Sequence, residues 1–132
     1  MATASENVKI VETIYAKGLI RQTEAVRHYF TPRTEIIEAD SLPYGGTYRG
    51  YDGYVNLLVR FSEWWTDVSM DIRGVFANGD DVMALLTVRG KVKGTPIEIK
   101  VAEAWEMKDG KVGKLDIYYF DTKKVADAAA GK

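Results

Sequence analysis

The feature that most constrains this chain is a change of hydrophobic period at Thr66. Before it, apolar residues recur every three or four positions: Val8, Val11, Ile14, Tyr15 and Leu19, then Val55, Leu58, Phe61 and Trp65. That spacing puts one apolar stripe on a helix. After it, Val68, Met70, Ile72 and Phe76 alternate with Asp67, Ser69, Asp71 and Arg73, the pattern of a half-buried strand. Helices first and long strands second predict an α+β fold whose N-terminal helices pack on a strongly curved antiparallel sheet. With 132 residues, 46% of them hydrophobic and 28% charged, the chain suits one domain with a real core.

Local signals place the elements. Ser5 is positioned to cap the first helix, and Thr23 a short second one carrying Val26, Tyr29 and Phe30. Pro32 ends that helix, because the residue before a proline avoids the helical region. Residues 35–40 read as a short strand, 41–50 as a Gly/Pro/Tyr loop, and 52–65 as a third helix. Turn signals at Asn78-Gly79, Gly94 with Pro96, and Asp109-Gly110 divide the remainder into strands over 82–93, 97–108 and 112–121. Sequential hairpins make an antiparallel meander. The core is expected over about residues 6–121, with a flexible alanine-rich tail over 123–132. Leu115, Ile117 and Tyr119 give the last strand an apolar second face, which predicts a homodimer across the outer side of the sheet.

Composition narrows the function. Eighteen basic and nineteen acidic side chains leave a net charge of −1, with no basic face for nucleic acid or an anionic membrane. Cysteine is absent and His28 is the one histidine, so thiolate chemistry and histidine-rich metal sites are excluded. His28, between Arg27 and Tyr29, is assigned to the surface. No secretory leader or run of about 20 apolar residues is visible, which makes the cytoplasm the expected location.

The candidate site residues are those that break the pattern. Glu103 shares a strand face with Ile97, Ile99, Val101, Trp105 and Met107. A carboxylate on an apolar face is paired, protonated or facing a polar cavity. It is either a structural acid or a pocket group, and perturbed carboxyls gather in functional sites. A two-residue turn at Asp109-Gly110 would set Asp116, Tyr118 and Phe120 on the side of Glu103; a bulge would slip the register by one and turn them away. Glu38 and Asp40, two apart, share a face if their strand persists, and they lie beside the loop bearing Tyr44 and Tyr48. Tyr15, Phe61, Trp65 and Trp105 are core aromatics that can also wall a pocket for a flat ligand.

Over about residues 6–121 the chain resembles the nuclear transport factor 2-like superfamily, in its SnoaL-like and ketosteroid-isomerase-like branches. The resemblance rests on the order of elements, on Ser41-Leu42-Pro43-Tyr44-Gly45-Gly46-Thr47-Tyr48-Arg49-Gly50, and on Asp109-Gly110-Lys111-Val112 leading to Tyr118-Tyr119-Phe120-Asp121. It implies a cystatin-like conical barrel enclosing a pocket, and dimers through the outer sheet face. It implies catalytic roles for Tyr15, Glu38 or Asp40, and Glu103. Tyr15 falls on the isomerases' hydrogen-bonding tyrosine, the acidic pair near their proton-shuttling aspartate, and Glu103 on their protonated second oxyanion donor. Both acids here are glutamates, one methylene longer than the family's aspartates. Asp116 or Asp121 would stand for the cyclases' acid/base aspartate. Tyr44, Tyr48, Phe61, Trp65, Trp105, Asp116, Tyr118 and Phe120 are the expected substrate contacts. The implied activity is cofactor-free, metal-free isomerisation or cyclisation of a small apolar carbonyl compound. The alternatives are non-catalytic ligand binding and a dimeric interaction module with a filled pocket.

Overall fold

The computed structural model describes residues 2–19 and 22–132. Helix α1 (Ala4–Gly18) starts two residues earlier than expected. Thr3, not Ser5, is the N-cap: its hydroxyl accepts from the Glu6 amide at 3.1 Å, and the Glu6 carboxylate accepts from the Thr3 amide at 2.9 Å. This reciprocal pair satisfies two amides that a helix start leaves open. Asn7, Val11, Ile14, Tyr15 and Gly18 form the buried stripe. A 3-10 turn follows over Thr23–Tyr29, anchored by Val26.

Strand β1 (Phe30–Glu38) begins earlier and ends sooner than the sequence suggests. Pro32 does not terminate an element; it sits where the ladder is irregular, between Phe30 and Glu35. A residue without an amide proton is tolerated in such a stretch. Thr34 bridges the gap, donating to the Val112 carbonyl at 2.5 Å and accepting from the Thr31 amide at 2.9 Å. Beyond Glu38 the chain curls: the Leu42 amide bonds the Ala39 carbonyl and the Gly45 amide the Leu42 carbonyl. The loop contains a short strand, β2 (Gly46–Arg49), antiparallel to β1.

Helix α2 (Gly50–Trp64) runs directly into β3 (Trp65–Asn78). Gly50, Gly53, Tyr54 and Leu57 are its buried positions, so its inner face is turned away from Val55, while Leu58 and Phe61 of the expected stripe still face inward. Gly53 is required by close approach, since a Cβ there would meet the Tyr48 backbone at 2.8 Å. The meander continues through β4 (Asp81–Val92), β5 (Thr95–Lys108) and β6 (Lys111–Tyr119). All three predicted turns are present. At Lys93-Gly94 and Asp109-Gly110 both residues have positive φ, as tight hairpins prefer.

The strands form one open, mixed sheet in the order β2-β1-β6-β5-β4-β3. Every pairing is antiparallel except β1 with β6, where the chain returns beside its first strand. Bulges interrupt β3 at two places and add to the curvature. Helix α1 lies against β3 and β4, and α2 against β1 and β2, so the helices cover the concave face.

Three expectations are corrected. Val68, Ile72 and Phe76 are exposed, not half-buried, because β3 is an edge strand with bulges that shift its faces. The tail is ordered as helix α3 (Thr122–Ala129), capped by Asp121 and docked through buried Val125 and Ala128. In the last hairpin the turn is the predicted two-residue one, yet β6 carries an extra residue. Lys114 opposes Glu106 and Val112 opposes Met107, leaving Gly113 between them. The register slips by one, so Ile117, not Asp116, faces Glu103. Leu115, Ile117 and Tyr119 therefore point inward, and Asp116, Tyr118 and Phe120 lie on the outer face. Among the described residues, no helix is long and apolar enough to cross a membrane.

Candidate functional site

Between the two long helices and the concave sheet lies a cavity of about 100 Å³. Its wall is aliphatic and aromatic, with Ile14, Ile36, Leu57, Met70, Val88 and Leu115 among its contributors. Two carboxyl groups interrupt it: Glu38 at the end of β1 and Glu103 in the middle of β5. Each belongs to a face otherwise given to core residues, which is why both point in.

Glu103 is bonded to Tyr15, whose hydroxyl lies 2.5 Å from Glu103 Oε1. Trp105 Nε1 donates to the same hydroxyl at 3.0 Å, and the two rings meet edge to face with centroids 5.7 Å apart. Burial pushes the Glu103 carboxyl up to about 7, partly opposed by the hydrogen bond from Tyr15. Burial, and then the negative charge of Glu103, raise the Tyr15 hydroxyl well above the tyrosine range. Glu38 is 4% exposed and its Oε1 has no hydrogen-bond partner. Its carboxyl is raised well above the usual range by burial first and by Glu103 second. A buried carboxyl with an unpartnered oxygen favours the neutral form and is a strong base once ionised.

Three further hydroxyls belong to this neighbourhood. The Tyr54 hydroxyl, on α2, lines the cavity, is buried and has no partner. It packs over Gly18, where a Cβ would come within 2.4 Å of it. Tyr119 also lines the cavity, and its hydroxyl meets that of Tyr44 at 2.5 Å. Tyr44 in turn accepts from Trp65 Nε1 at 3.1 Å, and Trp65 stacks on Phe61 at 5.3 Å. Arg60 ties the loop to α2, donating to the Tyr48 hydroxyl at 2.7 Å and the Pro43 carbonyl at 2.6 Å.

An apolar cavity under two helices, closed by a curved sheet and holding two inward carboxyls, matches known proteins over most of its length. The SnoaL-like domain family matches residues 11–114. The chain belongs to the SnoaL-like family. No protein of curated function matches it in sequence. A nuclear transport factor 2-like protein of Burkholderia thailandensis is 27% identical, superposes with a TM-score of 0.84, and is covered over 98% of its length by 97% of this chain. A protein classed as a SnoaL-like polyketide cyclase, from Jannaschia, is 16% identical, with TM-score 0.84 and coverage of 100% and 96%. A protein with a ketosteroid isomerase-like fold from Catenulispora acidiphila, in complex with trimethylamine, is 18% identical, with TM-score 0.73 and coverage of 92% of each chain. The last two likenesses concern the fold alone.

Within the SnoaL-like cavity the sequence-predicted residues divide cleanly. Tyr15, Glu38, Phe61, Glu103 and Trp105 line it together. Tyr44, Tyr48 and Trp65 are buried behind its wall and support it through the hydroxyl and indole contacts above. Asp40 does not take part: it is exposed in the turn after β1, because the strand that would have carried it inward ends at Glu38. Asp116, Tyr118 and Phe120 are turned away by the bulge at Gly113; Asp116 lies 3.6 Å from Lys114, while Tyr118 and Phe120 are exposed. Asp121 caps α3 and is outside the cavity. Tyr54 is not among the expected site residues, and Tyr119, expected with Leu115 and Ile117 on the outer face as the basis for a dimer, lines the cavity instead because the bulge at Gly113 turns that set inward. The signal for Tyr54 was present, since Tyr54, Leu57, Leu58 and Phe61 share helical spacing. Tyr119 follows Leu115 and Ile117 at strand spacing.

Proposed function

We propose that this SnoaL-like domain binds a small apolar carbonyl compound and moves a proton next to the carbonyl without a cofactor. The observation that carries this reading is the unpartnered Oε1 of buried Glu38 in a wall shared with the Tyr15–Glu103 pair. Ionised Glu38 would take a proton from the carbon beside the carbonyl and return it one position along. Negative charge would gather on the carbonyl oxygen, where a positioned donor is worth most.

Tyr15 can supply that donor when Glu103 is neutral. A hydroxyl has one proton to give and two lone pairs to accept with. If Glu103 is protonated it can donate to Tyr15, as Trp105 does, and the Tyr15 proton is free for the ligand. If Glu103 is ionised, it holds the Tyr15 proton itself. A carboxyl that titrates near 7 makes both arrangements accessible at neutral pH. The cavity, at about 100 Å³, is smaller than one of about 150 Å³ that accepts benzene. A substrate of at most one small ring is therefore the expected size.

The test is isomerisation of a one-ring β,γ-enone to its conjugated isomer. Glu38→Gln keeps the shape and removes the base, so turnover should fall by about 100-fold or more while ligand-induced thermal stabilisation persists. Unchanged turnover in Glu38→Gln would remove Glu38 from the chemistry. The trimethylamine held by the Catenulispora acidiphila protein favours a second reading, a pocket that binds a small molecule and leaves it unchanged. Under that reading no conversion is detected for a compound that stabilises the fold. We further propose that two copies meet through the outer sheet face, where Phe76 of β3, Met83 of β4 and Tyr118 of β6 are exposed.

A further inference from the structure

We propose that the cavity takes a small organic ammonium ion, its methyl groups against the aromatic wall and its charge between Glu38 and Glu103. This rests on the reading that the cavity is a ligand site, and not on proton transfer. Three observations support it. The cavity presents two carboxyl groups and, among the described residues, no Lys, Arg or His lines it. Neither acid is neutralised by a salt bridge there; their only described polar contact is the Tyr15 hydroxyl. The remaining surface includes the rings of Tyr15, Tyr54, Phe61, Trp105 and Tyr119, which come from both long helices and two strands.

Aromatic rings arranged around a space attract a cation through their negative faces, and desolvation strengthens the attraction. Quaternary and tertiary ammonium ions are weakly hydrated for cations and carry apolar methyl groups, so they suit a wall of this kind better than a metal ion does. Glu38 supplies the strongest argument. A carboxyl oxygen that is buried without a protein partner costs free energy, and a cation beside it would offset that cost.

The ionisable groups around the two acids are Tyr15 from α1, Tyr54 from α2, Tyr119 from β6, and Tyr44 and Tyr48 from the loop and β2, with Arg60 of α2 behind them on the Tyr48 hydroxyl and each acid facing the other. Met70 and Val88 are the cavity contacts from β3 and β4, and neither ionises. Binding a cation therefore requires at least one of Glu38 and Glu103 to lose its proton. Tetramethylammonium has no proton of its own, so any pH dependence of its binding reports the protein.

The experiment titrates the protein with tetramethylammonium chloride at constant ionic strength, following the Trp105 indole N–H by NMR between pH 5.5 and 7.5. The control ligand is tert-butanol, which has the same heavy-atom count without charge. Tetramethylammonium affinity should rise with pH, by up to about tenfold per unit while one carboxyl must deprotonate. tert-Butanol should show no such rise. Glu38→Gln and Glu103→Gln should each weaken tetramethylammonium by about tenfold or more and leave tert-butanol within about twofold. Binding of tert-butanol without tetramethylammonium overturns the inference and leaves the ligand-site reading standing. A flat pH profile, or no loss in both variants, also overturns it. Silence from both ligands removes the ligand-site reading as well.

Discussion

Replacing Glu103 by Gln isolates the cost of keeping a carboxyl in this cavity. Gln keeps the length of Glu and an oxygen that can accept from Tyr15, but it cannot ionise. In the folded protein the Glu103 carboxyl titrates at about 7, against 4.5 when unperturbed. Below pH 4.5 it is protonated in both states and contributes no pH dependence. As pH rises from 4.5 to 7, the unfolded chain has released its proton while the folded one retains it, so unfolding is favoured. At about 1.4 kcal/mol per pKa unit, the folded state has lost about 3 kcal/mol by pH 8. The assay is urea unfolding of wild type and Glu103→Gln from pH 4 to pH 8.5. The difference between the two curves cancels the carboxyls that do not feel Glu103; Glu38, which Glu103 raises, is relieved in the variant and shifts the difference in the same direction. It should grow in favour of Glu103→Gln by about 3 kcal/mol between pH 4.5 and 8. A constant difference would mean that Glu103 titrates alike in both states. A wild type that gains on the variant as pH rises would mean that the carboxylate is stabilised by a partner. Either result refutes the account of Glu103 as an acid kept neutral by burial.

Tyr15→Phe should cost about 1–3 kcal/mol, because Trp105 Nε1 loses its acceptor and Glu103 its donor. Its cost should be larger at pH 8 than at pH 5, since the lost donor is what holds the Glu103 carboxyl down; urea unfolding at the two pH values measures both. Val125→Ala should destabilise the fold by about 2 kcal/mol if the fully buried Val125 docks α3 as described, and calorimetry checks it. On the outer face, sedimentation should find a dimer for the wild type and a monomer for Phe76→Asp combined with Tyr118→Asp, both sites being 57% exposed in the single chain. A wild type that sediments as a monomer at all accessible concentrations would end the dimer reading.

How much of the site the sequence reveals follows from how locally each residue is determined. Glu38 and Glu103 are legible because each sets a charge against an apolar strand face, a conflict visible without any neighbour. Tyr15 is legible from one helical turn. Asp40 looks equivalent to Glu38 only while strand alternation is extended past Glu38. What stops the strand is the turn bonding Leu42 to Ala39, with Gly45 packed against the Ala39 carbonyl so closely that a Cβ would lie at 2.2 Å. Helix α3 is missed for another reason. Eight residues do not hold a helix alone, and what orders them is burial of Val125 and Ala128 against strands far away in sequence.

The last hairpin is the most instructive case. Its turn, Asp109-Gly110, is read correctly, and a turn of two residues ordinarily fixes the register of both strands. Here it does not, because Gly113 is inserted in β6 two pairs beyond the turn. A glycine inside a strand pattern is itself a bulge signal. A Cβ at that position would approach the Glu106 carbonyl to 3.2 Å, so the bulge favours the one residue without it. The apolar set offers a second signal. Leu115, Ile117 and Tyr119 alternate over the whole strand, whereas the other face begins with Lys114 and Asp116. Burial of the more apolar set decides the register, at a cost of one unpaired residue. That single glycine exchanges Asp116 and Tyr118 for Ile117 and Tyr119 in the cavity. It thereby leaves Glu38 and Glu103 as the only carboxyls among its described residues.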